Sequence, residues 1–148
     1  MDLLDHANHR VVAPVAQDAL PALEINFHNV HRYFDPPRLS FMREIRAGLR
    51  AIASAYAGAV PIEVEHEQEG NVKAYVYRIW TDIHLNPAWF RISDVDQRAK
   101  TLIHEAAHKY LDINRDTYRW DTAAYAALTT EQALENADCF AWLCLDLR

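Results

Sequence analysis

Glycine is scarce in this 148-residue chain, with only Gly48, Gly58 and Gly70, and six prolines complete the backbone punctuation. So few breaks favour a helix-rich fold. Cysteine is scarcer still. Cys139 and Cys144 lie five apart on a candidate helix, a spacing that does not bring two side chains onto one face, so they read as small buried thiols rather than a disulfide. Basic charge is also short: 15 Lys and Arg stand against 21 Asp and Glu, for a net charge of −6. That balance argues against a nucleic-acid partner, which needs a basic surface to meet phosphate. The basic cluster from Arg43 to Arg50 interleaves with Glu44 and reads as the wet face of a helix. No apolar run approaches the length of a membrane span. The opening "MDLLDHANHR" has no basic segment leading into an apolar core, so it is no secretory signal. The expectation is a cytoplasmic product, or a module exported as part of a larger secretion-system polypeptide.

What is present is an ordinary globular balance, 51% apolar and 24% charged, enough for one domain over 1–148 with a core of its own. N-terminal helices are expected over 14–57. In the first, Leu20, Leu23, Phe27, Val30 and Phe34 recur at helical spacing up to residue 34. After a turn at 35–37, Ser40 opens a second helix reaching about Ala57, with Phe41, Ile45, Leu49, Ile52 and Ala53 on one stripe. A small sheet follows over about 60–90, drawn from "PIEVEHEQEG", "VKAYVYRIW" and "IHLNPAWF". In the last of these, Pro87 marks an edge strand or a strand's end. Helices return over 94–148. One carries Ala99, Leu102, Ile103, Ala106 and Tyr110 as an apolar stripe; another starts near Thr129, whose spacing to Gln132 fits a capping box, with Ala133, Ala137, Ala141 and Cys144 inward. The order is α+β, not βαβ alternation.

The chemistry concentrates in "TLIHEAAHKYL". Histidines at i and i+4 project from one side of a helix, close enough to clasp one ion, and the intervening glutamate leans toward that ion without ligating it. His104 and His108 are therefore candidate zinc ligands. Glu105 is the candidate general base, taking a proton from zinc-activated water and passing it to the leaving amine. Two histidines leave a catalytic zinc one protein ligand short. The pairs His6 and His9, and His28 and His31, lack an acid in the right place. His66 sits among glutamates as a surface residue, and His84 reads as a sheet-surface histidine.

These residues resemble the aspzincin metallopeptidases, the group of deuterolysin and the peptidyl-Lys metalloendopeptidases. The resemblance spans roughly residues 80–142 and rests on "IHLNPAWF", "RAKTLIHEAAHKYL", "DTYRW" and "ALENADCFAWL". It implies a zincin-like fold built around an active-site HExxH helix. It also implies an aspartate ligand a short loop after that motif, and an Asn-Ala-Asp motif on the following helix, met here by residues 136–138. By position, Asp138 is then expected to hold a ligand histidine from behind. The family's Gly-Thr before the aspartate is missing from "DINRDTYRW", and Tyr118 follows Asp116 by two residues where three is usual. Asp116, eight beyond His108, is the expected third ligand. Asp112 would require the helix to continue, whereas "DINRD" holds poor helix formers. Tyr118 is either a hydroxyl donor to the oxyanion or a packed aromatic. "IHLNPAWF" would supply an edge for a peptide substrate to join as an added strand.

The function this supports is a zinc-dependent endopeptidase acting on a peptide or protein substrate, with Zn2+ as its cofactor. Its size and cysteine usage suit a bacterial toxin or effector domain, paired with a cognate immunity protein. The alternatives are a gluzincin-like protease with Glu135 as third ligand, a catalytically inactive zincin-like binding domain, and an immunity or adaptor protein in which the motif is accidental. Intact Glu105 speaks against inactivity, since a structural site has no need of it.

Overall fold

The computed structural model describes residues 33, 39–65, 73–77 and 82–146. The helix expected over 14–34 lies outside these residues apart from Tyr33, as do the turn at 35–37 and His6, His9, His28, His31 and His66. The expected second helix forms as α1 (Leu39–Ala57). Its stripe is the one that the spacing predicts: Ile45, Leu49, Ile52 and Ala53 are buried, and Phe41 is half-buried. Tyr56, buried at its end, donates its hydroxyl to the carbonyl of Leu102 at 2.9 Å.

Three short strands follow, β1 (Ile62–Val64), β2 (Ala74–Tyr75) and β3 (Ile83–Leu85). They form a mixed sheet in the order β1-β3-β2, with β3 parallel to β1 and antiparallel to β2. The expectation that "IHLNPAWF" is an edge strand is therefore corrected: β3 is central among the described strands. Pro87 acts as a stop. Asn86 caps the helix α2 (Pro87–Ile92), its side chain accepting the amide of Ala88, and proline opens the first turn, where no amide bond is lost. Alternation along β3 buries Ile83 and Leu85 on the helix side. His84 lies on the other face, as the sequence suggests, stacked on Tyr75 with its Nδ1 3.1 Å from Glu65 Oε1.

Helix α3 (Val95–Leu111) starts at Asp94, which shares a capping box with Gln97. It packs against α1 and against α6 (Ala137–Asp146). The single last helix expected from near Thr129 is broken in two. Between α4 (Thr122–Ala126) and α6 stands α5 (Thr130–Leu134), with the anticipated Thr129–Gln132 box at its start. At the break, Glu135–Asn136, the Glu135 carbonyl and the Ala137 amide leave the helical ladder and bond the backbone of Arg115 instead. No helix among the described residues is long and apolar enough to cross a membrane.

Gly48 lies mid-helix in α1, where alanine would ordinarily be favoured by about 1 kcal/mol. Here a Cβ would stand 2.9 Å from Cε1 of Phe140 and 3.1 Å from Cδ1 of Leu111. Gly48→Ala should therefore destabilise the fold, by roughly 1–3 kcal/mol on the usual cost of overpacking, read as a lower midpoint in urea. Cys139 and Cys144 are free and buried, and burial pushes their thiols up to about 11 and about 12. A chromogenic disulfide reagent at pH 8 should label neither thiol until denaturant unfolds the chain; labelling of the native protein at a free-thiol rate would contradict this packing.

Candidate metal centre

His104 and His108 sit one turn apart on α3, on a face closed over by neighbouring elements rather than washed by solvent. His104 is 4% exposed and Glu105 7%, while His108 is half-buried. The helix ends just beyond them. Asp112 adopts φ 55° and ψ 37°, a left-handed conformation that aspartate tolerates better than most residues. The reversal aims the carbonyl of Ile113 at Nδ1 of His108, 2.6 Å away. With Nδ1–H donating there, the lone pair of Nε2 is left facing outward.

The chain then runs back along the break between α5 and α6. Arg115 forms a parallel bridge with Asn136, through Arg115 N–H to the Glu135 carbonyl and Ala137 N–H to the Arg115 carbonyl. Asn136 accepts the amide of Thr117 and donates to the carbonyl of the same residue, both at 2.9 Å. The amide of Arg119 donates to Asp138 Oδ2 at 2.9 Å. Between these fastenings Asp116 reaches the histidines. Its Oδ1 lies 2.9 Å from His104 Nε2 and 3.0 Å from His108 Nε2, and the two Nε2 atoms are 3.1 Å apart. Among the described residues this is the grouping of three His, Cys, Asp or Glu side chains whose donor atoms converge.

Asp138 is fully buried behind His104, its Oδ1 3.5 Å from Nδ1 of that ring. That is long for a directed hydrogen bond, so its hold is electrostatic in the main. The same oxygen pairs with Lys100, one turn before His104 on α3. Lys100 in turn lies within 6 Å of the rings of Trp142, Tyr118 and Trp120. Tyr118 stacks on His104, ring centroids 5.6 Å apart, and on Trp120 at 4.1 Å, and it also lines the cleft, an arrangement compatible with either role. Asp112 lines that cleft without joining the three donors. Glu135, exposed, borders a separate depression with Leu111, Arg115 and Leu134.

The cleft, about 460 Å³, is walled on its far side by Ala74, Tyr75, Val76 and Tyr77. The sheet edge beside the histidines thus comes from β2 and the residues after it, not from "IHLNPAWF". Sequence reasoning also missed Lys100, the Ile113 carbonyl, and the hold on Thr117 of Asn136, which it places only in the Asn-Ala-Asp motif. Lys100 was findable, because it stands four residues before His104 and so shares its helix face. The other two depend on a loop path that no periodicity encodes.

The electrostatics follow from the geometry. Burial would lower both imidazoles, but their polar partners outweigh it: Asp116 and Asp138 raise His104, and Asp116 with the Ile113 carbonyl raises His108. Burial opposes ionisation of Asp116 too, yet the two rings hold it below the usual carboxylate range. Asp138 is likewise lowered against its burial, by His104, Lys100 and the Arg119 amide. Glu105 goes the other way, raised by burial against the pull of the histidines. Burial, then the charges of Asp116, Glu105 and Asp138, push the Tyr118 hydroxyl up to about 12, so it remains a donor at neutral pH.

Does this donor set fit zinc? Two imidazole nitrogens and one carboxylate oxygen are ligands of the right type, and three of them leave a fourth position open, as catalytic sites require. Ligand atoms about 2.0–2.2 Å from one tetrahedral ion stand on the order of 3.3 Å apart, close to the separations seen here. The fit is good.

Comparison with known proteins agrees. A search of curated proteins gives no match. A solved structure of a zinc peptidase from Grifola frondosa superposes with a TM-score of 0.71 at 17% identity, covering 95% of this chain and 93% of that one, which establishes a shared fold. The family profile described as lysine-specific metallo-endopeptidase, the aspzincins, matches residues 22–143. The chain therefore belongs to the aspzincin family of zinc metalloendopeptidases.

Proposed function

We propose that His104, His108 and Asp116 hold the zinc ion of this endopeptidase, that Glu105 is its general base, and that Tyr118 steadies the charge that develops on the scissile carbonyl. The observation that carries this reading is the convergence of three lone-pair donors, 2.9–3.1 Å apart, beside a buried glutamate at the cleft. When bound, zinc supplies Lewis acidity that activates water and polarises a carbonyl.

The protein groups do the rest. Glu105 accepts a proton from the attacking water and returns it to the departing amine; its burial raises its basicity toward the range where such exchange is efficient. The Tyr118 hydroxyl, protonated at neutral pH on a ring stacked beside His104, would donate to the oxyanion, which supports its role. Asp138 supports His104 from behind, as the Ile113 carbonyl supports His108. The peptide substrate lies along Ala74 to Tyr77, adding a strand to the β2 edge.

Purified protein supplemented with zinc should carry one equivalent of metal by elemental analysis. Glu105→Gln should keep that metal and the fold yet lose nearly all peptide hydrolysis, because only the proton carrier is removed. Wild-type turnover by that variant would end the general-base assignment. Asp116→Ala should weaken zinc binding severely in a competition titration, while Asp112→Ala and Glu135→Ala leave it near wild type. The reverse pattern would give the third ligand to one of those acids. The effector role proposed from size and cysteine usage adds one expectation: toxicity on expression in bacteria should vanish with Glu105→Gln. Equal toxicity of that variant would remove the role.

A further inference from the structure

We propose that Asn136 is the positioning residue for the Asp116 ligand, acting as a two-bond strand partner that sets where the ligand loop runs. The inference rests on the ligand assignment above and adds a residue to it.

Asn136 is fully buried, and its side chain is saturated. Oδ1 accepts the Thr117 amide, while Nδ2 donates to the Thr117 carbonyl and to Cys139 Sγ at 3.2 Å. A neutral amide has one acceptor oxygen and two N–H donors, so its polar atoms are all engaged. The partners matter more than the number. Both backbone groups of Thr117 are taken by this one side chain, and both backbone groups of Arg115 are taken by Glu135 and Ala137. In extended backbone, residues two apart present their N–H and C=O to the same side, and the residue between presents its own to the other. Binding 115 and 117 to the α5–α6 break therefore fixes the chain on either side of Asp116. Its carboxylate is left to reach the two histidines 2.9 and 3.0 Å away.

Few side chains can do this. Aspartate has the same shape but sets a second oxygen against the Thr117 carbonyl, turning an attraction into a repulsion. Alanine and leucine leave the Thr117 amide and carbonyl unpaired. Glutamine is one methylene too long for a fully enclosed site. The asparagine is needed because one end must donate while the other accepts.

The test is a double-mutant cycle on zinc affinity, measured by competition with a chromophoric chelator for the wild type, Asn136→Asp, Asp116→Ala and the double variant. Asn136→Asp should cost about 10–100-fold in affinity, the range for residues that orient a ligand. In the Asp116→Ala background the same change should cost little, because the group it positions is gone. In the metal-free wild type the Thr117 amide should be protected from hydrogen exchange, and in Asn136→Ala, which leaves that amide without an acceptor, it should not; equal protection in both would count against the proposal. An equal loss in both backgrounds would make Asn136 a general structural residue and overturn the proposal. So would wild-type affinity of Asn136→Asp while Asp116→Ala binds weakly. If Asp116→Ala itself binds like the wild type, the ligand assignment fails and the positioning role fails with it. Should the aspartate variant not fold, Asn136→Ser, which keeps a single hydroxyl, carries the same cycle with the same expected coupling.

Discussion

Three acceptors held within about 3 Å of one another repel unless a cation lies among them, and that constraint governs the centre of this protein. The Nε2 atoms of His104 and His108 and one oxygen of Asp116 are brought together by groups that fasten each from behind: Asp138, the Ile113 carbonyl, and the bonds to residues 115 and 117. Without metal, protons answer the demand, so both imidazoles are raised and the Asp116 carboxyl is lowered despite burial that works against each. With metal, the same convergence would become affinity. The fold carries the electrostatic cost of assembling the site before the ion arrives, which is what preorganisation means at a metal centre.

The scaffold for that assembly is compact in sequence. α3 brings two donors, the reversal at Asp112 brings the third, and the start of α6 supplies Asn136 and Asp138. All lie within residues 95–146, whereas the sheet and α1 serve as wall and backing. Lys100 ties this arrangement to an aromatic layer. Its ammonium pairs with buried Asp138 and faces Tyr118, Trp120 and Trp142, so the carboxylate behind His104 is not left as an uncompensated charge. Breaking such a pair on one side only is what makes buried charge expensive.

Much of this was legible in the sequence because it is local. The 3.6 period of α1 and α3, the Thr129–Gln132 capping box, and the placement of His104 and His108 on one helix face need only neighbours in the chain to specify them. The stop at Asp112 followed from poor helix formers, and the family resemblance pointed to Asp116, which the structure brings beside both histidines. The failures share the opposite character. That β3 is central rather than an edge depends on which strands pair with it, and strands of two or three residues carry too little alternation to say. The interruption at Glu135–Asn136 is invisible locally, since its cause is a bridge to Arg115 twenty-one residues earlier. Asn136 looked like part of a motif, and its work became readable only once Thr117 was seen beside it.

The hydroxyl of Tyr56 has a consequence that reaches beyond α1. It bonds the backbone of α3 at Leu102, two residues ahead of His104. Ridges of packed side chains resist sliding of one helix over another but resist rolling less well. A directed bond to the backbone is an anti-roll pin, and a rotation of a few degrees at α3 would swing an imidazole tip by a sizeable fraction of an ångström. The position of the His104 ring thus depends in part on a helix that does not line the cleft. A bond made by a residue remote in sequence thereby fixes the angle at which the two histidines are presented.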